Sequence, residues 1–83
     1  MKEGETVKKV EYDYSKLLGK IVEKCGTQGV FAARLGRSER TVSLKLNSKI
    51  PFNQDEMVRT AEVLEFEFCE IPVYFFSYKV QSD

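Results

Sequence analysis

The sequence contains no histidine and no tryptophan, and it has only two cysteines and two prolines among its 83 residues. Without histidine, the chain lacks the commonest catalytic base and a principal zinc ligand. The two cysteines, Cys25 and Cys69, are far from CxxC spacing. Since no paired acid–base constellation replaces the missing histidine, we expect a protein without enzymatic activity, bound metal or cofactor.

Long apolar runs are also missing, because no run exceeds the four residues seen in Val73–Phe76. A membrane-spanning helix needs about 20 consecutive apolar residues, and the first residues lack the apolar region of a signal peptide. We therefore expect one small cytoplasmic domain with no membrane contact. In that compartment the two cysteines are expected to be buried free thiols, with a Cys25–Cys69 disulfide as the alternative.

Charge is unevenly distributed, although the net charge is zero. Residues 14–50 carry eight basic and two acidic side chains, whereas residues 51–83 carry two basic and seven acidic ones. A basic segment beside an acidic one is typical of a protein with one face turned towards a polyanion. Chance produces similar asymmetry in small domains, so charge alone leaves both interpretations open.

Apolar periodicity predicts an all-α domain of five short helices. The first ends at Gly26, the second covers about 28–35, and the third covers about 39–47. A fourth begins at the capping box of Asn53 and Glu56. A short fifth is expected over 72–76, although the alternation of Tyr74, Phe76, Tyr78 and Val80 also fits a strand. The predicted organisation is a polar arm at 1–13, a helical domain at 14–76 and an extended tail at 77–83.

The second and third helices are separated by only about three residues, which is the helix-turn-helix arrangement. Ala32 provides the small side chain needed where the two helices cross, and Gly36 accepts a positive φ in the turn. Val42 supplies a branched apolar side chain that locks the pair. These three residues therefore predict two helices held at a fixed angle.

The segment "TQGVFAARLGRSERTVSLKLNSK" resembles the phage Cro/repressor-type (Xre-like) helix-turn-helix family. The segments "YDYSKLLGKIVEKCGTQ" and "IPVYFFSYKVQ" are similar to small prophage-encoded regulators of Gram-positive bacteria. The resemblance covers about residues 13–76 and implies a compact, lambda-repressor-like DNA-binding domain. It also implies binding to palindromic double-stranded operator DNA as a homodimer. Because 83 residues are too few for the second domain of self-cleaving repressors, we expect a Cro-like repressor at the nucleoid of the bacterial host, without a small-molecule ligand.

The resemblance places the base-reading side chains on the third helix, at Glu39, Arg40 and Ser43. Arg40 suits a bidentate bond to guanine, and Glu39 suits a bond from the cytosine N4 amine. Leu44 stands where the family often has a polar side chain, so it either contacts a thymine methyl group or belongs to the core. Lys45 stands where the family usually has an apolar residue. The competing interpretation of this face is an ordinary solvated helix surface.

Polar side chains at the ends of the second and third helices suit phosphate contacts, which set register without reading sequence. The predicted phosphate contacts are Thr27, Gln28, Arg37, Ser38, Asn47, Ser48 and Lys49.

Aromatic residues crowd the C-terminal third of the chain, and they are too many for so small a core to cover. Exposed apolar clusters of this kind often mark an interface. The predicted dimer contacts are Phe66, Phe68, Tyr74, Phe76 and Tyr78. A two-fold contact there would present two third helices to major-groove half-sites about 34 Å apart.

Two functions compete on this fold. The leading prediction is a sequence-specific DNA-binding transcriptional regulator. The alternative is a protein-interaction module, an antirepressor or antitoxin-like partner whose acidic, aromatic C-terminal half binds a basic protein. Salt dependence separates them, because a protein that neutralises several phosphates loses DNA affinity steeply as salt rises.

Overall fold

The computed structural model describes residues 11–78, and helices dominate this part of the chain. The elements are α1 (Ser15–Cys25), α2 (Gln28–Leu35), α3 (Glu39–Leu46), α4 (Gln54–Leu64), a 3₁₀ turn (Phe68–Glu70) and α5 (Ile71–Phe75). The all-α class is confirmed, with five α-helices in the described residues. No helix in this range has the length and apolar composition that crossing a bilayer requires.

The helix ends follow the local sequence closely. Gly26 and Gly36 follow α1 and α2 with φ of 85° and 81°, a backbone region that glycine adopts without steric cost. The Thr27 and Ser38 hydroxyls each accept a hydrogen bond from the N–H three residues on, at 3.1 Å. These contacts fix where α2 and α3 begin.

The capping box predicted for α4 is confirmed. The Asn53 side chain accepts a bond from the Glu56 N–H at 2.8 Å, and the Glu56 carboxylate accepts one from the Asn53 N–H at 2.9 Å. Both orphan N–H groups are satisfied by this exchange, so α4 begins at a defined residue.

One hydrophobic core runs through the centre of the bundle, and α2 lies at its middle in contact with α1, α3 and α4. Ala32 and Val42 are buried there. The fully buried large side chains are Phe31, Phe75, Leu17, Ile21, Leu35, Leu64, Val42 and Thr60. The third helix packs chiefly against α2. Its exposed residues, Glu39 and Arg40, therefore form an outward face.

The C-terminal aromatic residues are not a single exposed cluster. Phe66 is buried, and its ring stacks on half-buried Tyr74 at a centroid separation of 4.2 Å. The expectation of an exposed contact is wrong for Phe66, because α5 folds back against α4 and covers it. Phe68, Phe76 and Tyr78 keep exposed rings.

The two terminal segments meet at their inner ends. Tyr12 and Tyr78 form an isolated antiparallel bridge, and the Asp13 N–H donates to the Ser77 carbonyl at 2.7 Å. The rest of the predicted arm and tail, residues 1–10 and 79–83, lies outside the described residues.

Both cysteines are free thiols. Cys25 is half-buried, but Cys69 lies in the 3₁₀ turn and is exposed, so the expectation of burial is wrong for Cys69. Within residues 11–78 no group of three or more potential metal ligands comes together.

Candidate functional site

Three residues, 36 to 38, connect α2 to α3 and set the angle between them. The Gly36 N–H donates to the carbonyl of Ala33 at 3.2 Å, and the Arg37 N–H donates to that of Ala32 at 3.0 Å. These bonds satisfy the last carbonyls of α2 and turn the chain sharply. With Val42 buried behind it, α3 presents its first turn to solvent.

The predicted base-reading residues lie on this outward face with unequal exposure. Glu39 and Arg40 are exposed, whereas Ser43 and Leu44 are half-buried. Leu44 is outside the core cluster of the described residues. The Glu39 carboxylate lies beside Gly29, where an added Cβ would come within 3.3 Å of Oε1. Arg40 is exposed and has no ion pair within residues 11–78, so its guanidinium group is available to a partner.

Several predicted phosphate contacts are already engaged within the protein. The hydroxyls of Thr27 and Ser38 cap α2 and α3. The Asn47 amide donates to the Ser43 carbonyl at 2.8 Å, so its N–H₂ group turns back onto its own helix. Gln28 is half-buried in the first turn of α2.

The segment after α3 holds the last two predicted contacts. Ser48 has a φ of 61°, in the left-handed region, and is half-buried. Lys49 follows it, exposed and without an ion pair in the described part of the chain. Among the predicted phosphate contacts, Lys49 is the cation that stays available to a partner.

A buried carboxylate joins α3, α4 and the turn before α3. The side chain of Glu56 is only 3% exposed, and that of Lys45 is 8% exposed. Lys45 Nζ lies 2.9 Å from Glu56 Oε1 and donates to the Pro51 carbonyl at 2.8 Å. Arg37 Nε donates to Glu56 Oε2 at 2.8 Å. Arg37, a predicted phosphate contact, is therefore bound to the protein's own acid.

The ionisation of Glu56 follows from these contacts. Burial alone raises the pKa of its carboxyl group, but the bond from the Asn53 N–H and the bonds from Lys45 and Arg37 outweigh burial, so the pKa lies below its ordinary value. Glu56 is therefore a carboxylate at neutral pH, and its charge neutralises cations of the basic segment.

The uneven charge of the sequence thus becomes internal pairing in the fold. Glu56 neutralises part of α3 and its preceding turn, and Glu65 lies 3.2 Å from Lys24 at the end of α1. The Glu56 cluster is not visible in the charge of each segment, because its three side chains come from different parts of the chain and meet only in the fold. A signal was present: Lys45 lies three residues after Val42, on the inward side of α3.

Comparison with known proteins establishes the family. Residues 10–78 match the family described as "Protein of unknown function (DUF739)", so the chain belongs to that family. The chain is also similar to the modulator of repression (MOR) of the temperate bacteriophage TP901-1 from Lactococcus lactis, known from a solution structure. The two are 58% identical over 84% of this chain and 95% of that chain, with a TM-score of 0.72. No curated protein matches the chain.

The expected membership of the Cro/repressor-type (Xre-like) family is therefore wrong. The matching family is DUF739, and the similar solved protein is a modulator of repression rather than a Cro or Xre-type repressor. The residues behind the resemblance, Ala32, Gly36 and Val42, specify how two helices pack. Such packing does not determine what the outward face binds.

Proposed function

We propose that the chain is a phage regulatory protein that acts by binding a repressor protein, in the cytoplasm of the bacterial host. The observation that carries this proposal is the 58% identity to a phage modulator of repression, which extends over 84% of the chain. Identity of that extent involves the surface as well as the core, so a shared mode of action is the simplest expectation.

The charges of the site support a protein partner. A protein that binds DNA directly must offer several cations to phosphates. Here Arg37 and Lys45 are bound to Glu56, so two cations of the α3 region are already neutralised within the protein. Arg40 and Lys49 are among the cations without an ion pair in the described residues. The internal pairing with Glu56 lowers the number of cations that the α3 region can offer to a duplex.

The acidic half of the chain suits a basic partner. Asp55, Glu62 and Glu67 are exposed on α4 and in the segment after it, and Glu67 directly precedes the exposed Phe68. A repressor presents basic side chains where it binds DNA. Acidic groups on this protein would accelerate its approach to that surface.

The test is a competition between operator DNA and this protein. Fluorescence anisotropy of labelled operator, bound by the repressor of the phage that encodes the chain, is followed as the protein is added. We expect the repressor–operator equilibrium to change and calorimetry to detect a repressor–protein complex without DNA. A repressor that shows neither response would overturn the proposal.

Direct DNA binding by a homodimer is the second candidate, favoured by the unpaired Arg40 at the exposed start of α3. It predicts that the protein alone binds a labelled pool of random duplexes, with steep salt dependence. It also predicts that Arg40→Ala weakens binding by about 1–3 kcal/mol and relaxes one base preference, whereas Lys16→Ala on α1 changes little. No binding by the protein alone would remove this candidate.

A further inference from the structure

An apolar groove of about 260 Å³ opens beyond the end of α3, and we call it the α3–α5 groove. Its floor consists of the buried rings of Tyr14, Phe52 and Phe75, which pack edge to face. Its walls include the exposed side chains of Ile50 and Phe76. The groove therefore joins the segment after α3 to the last helix.

The rigidity of the floor distinguishes the groove from a loose gap between loops. The Phe52 and Phe75 centroids lie 5.0 Å apart, and Tyr14 lies 5.6 Å from Phe52, all in edge-to-face geometry. Behind Phe52, the bond from Lys45 Nζ to the Pro51 carbonyl holds the connection between α3 and α4. A preformed apolar site binds a side chain at a lower entropic cost than one that must order.

The size of the groove indicates what it can hold. Pockets for drug-sized ligands measure about 300–1,000 Å³, so a groove of 260 Å³ is suited to one or two large side chains. Apolar side chains that enter such pockets are the typical anchors of protein interfaces.

The charge at the rim of the groove indicates which chemical groups its occupant carries. Lys49 lines the groove, is exposed and has no ion pair within residues 11–78. The neighbouring ammonium group of Lys45 is already neutralised by Glu56. A complementary occupant therefore carries one carboxylate beside its apolar side chain. A polyphosphate chain would need more cations along its path than this one.

We propose that the α3–α5 groove receives an apolar side chain of the repressor protein, with an adjacent carboxylate of the repressor bound to Lys49. This inference rests on the proposed function and assigns it a docking site. The acidic residues of α4 remain outside the groove, where they affect the rate of encounter rather than the anchoring contact.

The experiment compares pairs of variants that differ in their relation to the groove. Phe76 and Val73 are both 43% exposed and lie three residues apart, but only Phe76 lines the groove. In calorimetric titrations of the full chain with the repressor, we expect Phe76→Ala to raise Kd at least about tenfold and Val73→Ala to change it less than about twofold. Lys49→Glu is expected to weaken binding, whereas Lys16→Glu on α1 is expected not to.

Folding is checked by thermal midpoint and amide NMR spectra before each titration. If Phe76→Ala does not fold, Ile50→Ala replaces it with Val58→Ala as its control, because these side chains are 38% and 40% exposed and only Ile50 lines the groove.

The outcomes separate the two proposals. Wild-type protein that does not bind the repressor would overturn the proposed function and this inference with it. Wild-type binding that Phe76→Ala and Lys49→Glu leave unchanged would overturn the groove alone. The groove assignment would also be overturned if Phe76→Ala and Val73→Ala weakened binding equally. Two further measurements identify other occupants if the repressor does not bind. Self-association that Phe76→Ala abolishes, followed by light scattering, would assign the groove to a second copy of the chain. Binding of a single-stranded oligonucleotide that Phe76→Ala abolishes would assign it to nucleic acid.

Discussion

The ammonium group of Lys45 lies 2.9 Å from the carboxylate of Glu56, and both side chains are almost completely buried. Lys45 is in α3 and Glu56 is in the first turn of α4, so their contact crosses the connection between the two helices. A buried charge without a partner is very costly, whereas a paired one is tolerated. The two residues therefore depend on one another for their place in the core.

Removal of Lys45 tests this dependence. We expect Lys45→Met to lower the free energy of unfolding by about 3 kcal/mol, the lower end of the range for a broken buried pair, because Arg37 still neutralises Glu56. Urea denaturation gives the value. Lys24→Met is the control, since its pair with exposed Glu65 is solvated and contributes less than about 1 kcal/mol. Equal losses in the two variants would contradict the argument.

Acid should weaken the contribution of Glu56. Its folded-state pKa lies below the ordinary 4.5, so the unfolded chain takes up the proton first as pH falls. The stabilisation is complete above the unfolded pKa and is lost as pH falls from about 4.5 through the folded pKa. We expect the Tm difference between wild type and Glu56→Gln to be largest near neutral pH and to decrease as pH falls below about 4.5. A difference that stays constant down to pH ~3 would argue against the sign of this linkage.

Two glycines should respond in opposite directions to alanine. Gly36→Ala places a side chain at a φ of 81° and brings its Cβ to 3.4 Å from Arg59 Nη1, so we expect a loss of about 1–2 kcal/mol. Gly19→Ala lies inside α1 with no atom within 4 Å of the added Cβ, so we expect a gain of about 0.5–1 kcal/mol. Thermal unfolding measures both. A stabilised Gly36→Ala variant would show that the turn does not require its left-handed residue.

Charge reversal on the acidic half should affect the rate of repressor binding. We expect the double variant Glu62→Lys and Glu67→Lys to lower the association rate about tenfold at low salt, because both exposed carboxylates lose their attraction for a basic surface. The difference should disappear near 1 M salt, where the Debye length is about 3 Å. Stopped-flow measurements across salt concentrations give the rates, and Glu23→Lys on α1 is the control for the single variant Glu62→Lys, which changes the net charge by the same amount. A rate that falls equally in the control would assign the effect to net charge alone.

Local sequence signals predicted the helices well. Thr27, Ser38 and the capping box of Asn53 mark helix starts because their side chains satisfy N–H groups within one turn. The residues of such a signal are close in sequence, so the pattern is visible without the fold. Gly36 marks a helix end for the same reason.

Long-range pairing is the part that sequence could not supply. Whether Arg37 faces a phosphate or Glu56 depends on where α4 lies, 19 residues further along the chain. Phe66 looked like an interface residue because the packing of Tyr74 over it requires α5 to fold back. The predicted membership of the Cro/repressor-type family was wrong because the packing of α2 and α3 is shared by proteins whose outward faces bind different partners.

The carboxylate of Glu56 also constrains the order in which this sequence can evolve. Glu56 receives Arg37, Lys45 and the N–H of Asn53, so a first mutation at position 56 leaves a buried ammonium group without a counter-charge. A first mutation of Lys45 to an apolar residue leaves the carboxylate with its other two partners. A first step at position 45 should therefore cost less than a first step at position 56, so the lysine is the residue that related sequences should lose first.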